Sequence, residues 1–154
     1  MLRIITILAL AHLLVALPAH AQLRISDGDT LTLNRERIRL ACIDAPESDQ
    51  PYGPQSAARL RDLLGTGSIR VQPLATDRYG RSIAKLYIGE TLVQEALVRE
   101  GLAWVYPQFL HRCPTTATRL QNAQQTAQQH RLGLWADPHP IPPWVWRSGP
   151  PRRR

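Results

Sequence analysis

Three carboxylates and two guanidiniums stand in this chain at spacings that suit phosphate chemistry. Arg39, Asp44 and Glu47 fall in one run, Arg39-Leu-Ala-Cys-Ile-Asp44-Ala-Pro-Glu47. Asp27-Gly-Asp29-Thr30 comes just before it, and Asp77-Arg-Tyr-Gly-Arg81 well after. Asp29 and Asp44 are short carboxylates at the ends of neighbouring predicted strands. With a backbone carbonyl and water they make an oxygen site for Ca²⁺ or Mg²⁺. Glu47 follows a turn forced by Pro46, so a longer carboxylate comes near the metal without having to be a ligand. Such a group can orient and deprotonate an attacking water. Arg39 projects from the strand that ends at Asp44, and Arg81 follows a turn. Each offers a fork that can hold a phosphate and stabilise charge growing on it. Together these residues read as a metal-dependent phosphodiesterase.

Each piece also has a plainer reading. Asp27 to Thr30 alone reads as a hairpin turn with Asx hydrogen bonds. Glu47 alone is an exposed loop glutamate, and a lone arginine is most often a surface charge. The combination resists that reading, because Arg39 occupies a strand position where an apolar residue would normally do. Softer metals fit poorly. The five histidines lack a ligand spacing, and His111-x-Cys113 makes a weak zinc pair.

The elements that must hold these residues read as β in the first half and α in the second. Leu23 to Ile25 and Leu31 to Leu33 alternate on either side of the Asp27-Gly28 turn signal. A strand runs from Ile38 to Ile43, apolar on one face with Arg39 on the other, and Pro46 ends it. Ala57, Leu60 and Leu64 recur at helical spacing, with Arg59 between them as a solvated charge. Ile69 to Val71 and Ile83 to Ile88 are two further strands. Helices are expected over 92–100 and 115–130, the latter with an inner stripe of Leu120, Ala123 and Ala127. About five strands and three helices in one small domain predict an α+β fold, and a five-stranded oligonucleotide-binding (OB-fold) β-barrel in particular.

Residues 1–21 read as a signal peptide. A positive start precedes an apolar run too short to span a bilayer, and Ala19-His-Ala21 matches a cleavage site. The mature domain is then 22–147, followed by a basic Pro/Arg tail over 148–154. Trp144 and Trp146 are expected to pack back onto the domain. Export, to the periplasm or the medium, allows a bridge between Cys42 and Cys113. Their spacing leaves a buried Cys42 and a free Cys113 equally open. The net charge is +7, and Lys85 is the only lysine. So basic and arginine-rich a surface suits an anionic partner, nucleic acid or membrane. No segment beyond the leader could insert in a bilayer, and a monomer is expected.

Several segments resemble the thermonuclease family, the staphylococcal-nuclease-like OB-fold domain. They are Asp27-Gly-Asp-Thr30, Ile38-Arg-Leu-Ala-Cys-Ile-Asp-Ala-Pro-Glu47, Gln50-Pro-Tyr-Gly53, Asp77-Arg-Tyr-Gly-Arg81, Val98-Arg-Glu-Gly-Leu-Ala103 and Gly133-Leu-Trp135, in the family's order. The resemblance implies that Asp29, Asp44 and the backbone carbonyl of Ala45 bind Ca²⁺. It implies Glu47 as general base acting through water, and Arg39 and Arg81 as the clamp on the scissile phosphate. Tyr79 and Tyr106 resemble the family's nucleotide-contacting tyrosines, and Arg78 falls where the family has a basic residue. Pro107-Gln-Phe109 departs from the pattern after Tyr106, and Ala45 replaces a common threonine. A secreted Ca²⁺-dependent endonuclease acting on DNA, RNA or both is the function implied. The alternatives are a non-catalytic nucleic-acid-binding OB-fold module, which would not need Glu47, and an envelope protein docking through its Pro/Trp/Arg tail.

Overall fold

The alternating runs at the start of the mature chain form a three-strand meander in the computed structural model, which describes residues 22–149. The expected leader, 1–21, and the three terminal arginines lie outside the described residues. Strands β1 (Leu23–Ile25), β2 (Thr30–Leu33) and β3 (Glu36–Leu40) pair antiparallel. Leu31 and Ile38 face each other across the register and are fully buried. A short β4 (Ile43–Asp44) follows. The single strand expected over 38–43 is therefore broken at Ala41–Cys42. Cys42 turns with φ 66°, a left-handed conformation that no strand continues through.

Helix α1 (Gly53–Leu64) buries Ser56, Leu60 and Leu64. Strands β5 (Ile69–Thr76) and β6 (Ser82–Ile88) form a hairpin around the Asp77 to Arg81 turn, and β6 lies parallel to β3. That pairing joins the two halves of the site: Arg39 is registered opposite Ile83, two residues after Arg81. A short β7 (Thr91–Leu92) adds to β6 and leads into α2 (Val93–Arg99). Strand β8 (Trp104–Val105) pairs with β4, with Asp44 opposite Trp104. A 3-10 segment, Pro107–Arg112, then precedes α3 (Ala117–Gln129), whose buried stripe is Leu120, Ala123 and Ala127. A second 3-10 turn, Gly133–Ala136, and α4 (Pro143–Ser148) complete the described chain. None of the described helices is long and apolar enough to cross a membrane.

The α+β OB-fold architecture stands, but the sheet is open rather than closed. Its order is β1-β2-β3-β6-β5, with β7 on β6 and a separate β4–β8 pair. The outer strands explain this. β1 has three residues, and β5 carries Pro73, which lacks an N–H, next to a register shift between Pro73 and Ala75. Both features blunt a sheet edge. One helical surface charge also reads differently. Arg59 is not free in solvent but binds Glu100 through Nε and Nη2 at 2.7 and 2.8 Å, tying α1 to the end of α2.

Cys42 and Cys113 form a disulfide with Cα atoms 6.4 Å apart. It fastens the turn before β4 to the start of α3. The core it joins includes Leu31, Ile38, Leu40, Leu60, Leu86, Leu97 and Leu120. Truncating any one of these to alanine should cost about 2–5 kcal/mol.

Candidate active site

The site begins with a tight turn. Between β1 and β2, the Asp27 carboxylate accepts the Asp29 N–H at 3.0 Å, an Asx hydrogen bond that closes the loop. Gly28 has no substitute there. An added Cβ would lie 1.9 Å from Ser56 Oγ and 2.7 Å from the Ala45 Cβ. This close approach brings the first turn against α1 and against the chain after Asp44. As a result Asp29 Oδ2 accepts the Ala45 N–H at 2.6 Å, and Asp29 Oδ1 accepts the Thr30 hydroxyl at 3.1 Å.

Arg39 spans the two aspartates. Its Nη1 lies 2.6 Å from Asp29 Oδ2, and its Nη2 lies 2.7 Å from Asp44 Oδ1. Nη1 also donates to the carbonyls of Leu40 and Ile43, so the guanidinium is locked over the broken strand. Asp29 is 4% and Asp44 0% exposed. Burial pushes the Asp29 carboxyl up to about 8, outweighing the pull of Arg39, and the nearby Asp27 and Asp44 add to the push. Two buried carboxylates held within one guanidinium's span are hard oxygen donors. Among the described residues there is no cluster of three or more His, Cys, Asp or Glu side chains fit to hold a metal. Further ligands would therefore be backbone and water oxygens. That donor set suits Ca²⁺ and does not suit a soft ion. The disulfide removes Cys113 from any zinc pair.

Glu47 stands beside Asp44 on a loop with its own supports. Gln50 Oε1 accepts the Glu47 N–H at 3.1 Å, and Gln50 Nε2 donates to the Ile141 carbonyl at 2.6 Å. Gly53 closes the same loop, since a Cβ there would strike the Glu47 carbonyl at 1.8 Å. The Gln50-Pro-Tyr-Gly53 motif thus positions the proposed base.

The β5–β6 turn lines the same cleft as Glu47. Asp77 accepts the Tyr79 and Arg81 N–H groups at 2.9 and 3.0 Å, and Arg81 Nε donates to it at 2.8 Å. Burial works to raise the Asp77 pKa, but these hydrogen bonds and the Arg81 charge together hold it below the usual carboxylate value. Arg78 lies 4.8 Å and Arg81 5.5 Å over the ring of Tyr79, which is exposed to solvent. A cleft of about 810 Å³ gathers Asp29, Arg39, Asp44, Ala45, Glu47, Arg78, Tyr79, Arg81 and Tyr106. Every site residue expected from the sequence therefore borders one space. Tyr106 comes with a qualification: Trp144 stacks on its ring at 5.1 Å, so one face is already covered.

Two cleft arginines escaped the sequence reading. Arg112 reaches the cleft from the 3-10 segment. Arg147, on α4, enters the carboxylate cluster itself. Its Nη2 donates to Asp44 Oδ2 at 2.8 Å, and its Nη1 donates to Glu47 Oε1 at 2.6 Å and to Asp44 Oδ1 at 3.1 Å. Burial works against this cation, but the two carboxylates outweigh it and raise the pKa above the ordinary guanidinium range. The one sequence signal was weak: Trp144 and Arg147 are three apart, hence on one face of any helix.

The sequence profile of the staphylococcal nuclease homologue family matches residues 37–137, more than half of the chain. The chain belongs to the staphylococcal nuclease family. Among its relatives is an uncharacterized endonuclease of Escherichia coli O157:H7, 39% identical over 129 residues, covering 80% of this chain and 81% of the relative. A micrococcal nuclease of Shigella flexneri is 39% identical over 153 residues, covering 88% and 86%. An uncharacterized endonuclease of Haemophilus influenzae is 41% identical over 129 residues, covering 80% and 70%. In this family member Arg39, Asp44, Glu47 and Arg81 lie inside the matched segment, Asp29 just before it, and Arg147 beyond it.

Proposed function

We propose that the protein is an exported, Ca²⁺-dependent endonuclease that hydrolyses phosphodiester bonds of DNA, RNA or both. One observation carries this reading. Two buried aspartates, a glutamate and a bridging guanidinium line one cleft together with Arg78, Tyr79 and Arg81. Family membership and the names of the relatives point the same way.

Asp29 and Asp44, with the carbonyl of Ala45, would hold the ion. When bound, it supplies positive charge beside the scissile phosphate. Glu47 is not buried with the aspartates and can take a proton from an attacking water. Arg39 lines the cleft, 13% exposed, where it can stabilise the phosphoryl oxygens as charge builds on them. Arg81 can do the same from a turn that Asp77 holds closed. Tyr79 is exposed beside Arg78 and Arg81, an aromatic and cationic surface on which a base can stack whatever its identity.

The test is digestion of plasmid DNA and of RNA with Ca²⁺ and then with excess chelator, alongside Glu47→Gln. Cleavage should require Ca²⁺ and fail in the variant. Full activity in chelator would sink the metal assignment. Activity absent under all conditions, with nucleic acid still bound, would leave a binding module instead. A mature protein that starts at Gln22 would establish export.

A further inference from the structure

Arg147 competes for the same oxygens as the metal. Asp44 Oδ2 accepts from Arg147, and Asp44 Oδ1 accepts from both Arg39 and Arg147. Asp29 Oδ2 is likewise taken by Arg39 and the Ala45 N–H. A carboxylate oxygen has two lone-pair sites, so Asp44 Oδ1 and Asp29 Oδ2 are filled, while Asp44 Oδ2 keeps one site beside the Arg147 guanidinium. A doubly charged ion that binds Asp44 must share it with two guanidiniums, and like charges that close favour the departure of one. Arg39 is 13% exposed and locked by two carbonyls, whereas Arg147 is 41% exposed and hangs on a six-residue helix. Arg147 is the one that can leave.

The helix need not leave with it. Trp144 stacks on Tyr106, and Trp146 Nε1 donates to Asp49 at 3.1 Å. Gln50 holds the preceding Ile141 carbonyl. These contacts keep α4 seated while the long arginine side chain swings.

We propose that Arg147 is a tethered stand-in for the metal: it neutralises Asp44 and Glu47 in the metal-free enzyme and is displaced when Ca²⁺ binds, so it sets the Ca²⁺ concentration at which the site loads. This rests on the metal-dependent reading above. It concerns a residue outside the segment matched to the family.

The experiment uses the mature protein without nucleic acid. Ca²⁺ binding is measured by calorimetry for wild type, Arg147→Gln and Arg147→Lys, and urea unfolding is followed in chelator and in saturating Ca²⁺. Arg147→Gln should bind Ca²⁺ at least about tenfold more tightly than wild type, because the internal competitor is gone. Arg147→Lys, which keeps the charge but loses the fork, should fall between. In chelator Arg147→Gln should unfold at lower urea than wild type, and saturating Ca²⁺ should close the gap. If Arg147→Gln does not fold in chelator, the lysine variant carries the comparison. Equal or weaker Ca²⁺ binding by the variants, with wild type binding normally, would overturn the stand-in alone. Absence of Ca²⁺ binding in every protein would instead overturn the metal reading, and the inference with it.

Discussion

Asp29 is where metal and proton should compete. Its carboxyl is pushed up to about 8 by burial, while an ordinary aspartate sits at 3.8. Between those values the folded protein holds a proton that the unfolded chain releases. In chelator, the stability from this group is fully present below 3.8, declines as pH rises through the window, and has gone above about 8. The slope is about 1.4 kcal/mol per pH unit, or roughly 4 kcal/mol between pH 5 and 8. Ca²⁺ needs the ionised carboxylate, so its binding near neutral pH should release a proton, and affinity should climb as pH rises toward about 8. Asp29→Asn isolates the effect. Its carbonyl can still accept from Ala45 and Arg39, and its amide can donate to the Thr30 hydroxyl. The variant should match wild type in chelator at pH 5, exceed it at pH 8, and lose Ca²⁺. The assay is urea unfolding from pH 5 to 8, with calorimetry in buffers of different ionisation enthalpy. If Asp29→Asn kept the wild-type slope, or Ca²⁺ bound without proton release, the reasoning would fail.

Glu47→Gln should lower turnover by about 10²–10⁴ with a smaller effect on substrate binding, and unaltered single-turnover rates would remove Glu47 from the chemistry. Arg81→Lys should lose about 10²-fold or more in turnover, because lysine lacks the fork; the control is Arg37→Lys on the exposed side of β3, and equal behaviour of the two would refute the clamp. Replacing both Cys42 and Cys113 by alanine opens a link across 71 residues and should cost about 2–4 kcal/mol in urea unfolding. An unchanged midpoint would mean that α3 holds its place without the bridge.

Legibility in the sequence followed contact distance along the chain. Asp29, Arg39, Asp44 and Glu47 lie within a meander and its exit, so strand alternation and one proline were enough to place them together. The Asp77 to Arg81 turn was readable for the same reason, because Asp77 binds its own loop. Arg147 was not, because its partners Asp44 and Glu47 lie 103 and 100 residues away, and a six-residue helix beginning at Pro143 has too few turns for a hydrophobic period to show. Arg59 failed similarly, its partner Glu100 being 41 residues on. The break at Cys42 was hidden because a non-glycine residue with positive φ leaves no compositional mark. The open sheet was hidden because barrel closure depends on strand lengths and edge pairing, which residue alternation does not report.

The bridge between Cys42 and Cys113 makes the active site sensitive to the compartment around it. Cys42 stands two residues before Asp44, in the turn that aims β4 at the cleft. In a reducing cytosol those thiols stay apart, and the segment that carries Asp44 lacks its fastening to α3. In an oxidising space the fastening forms. The redox state of the surroundings thus decides how firmly the segment that carries Asp44 is held.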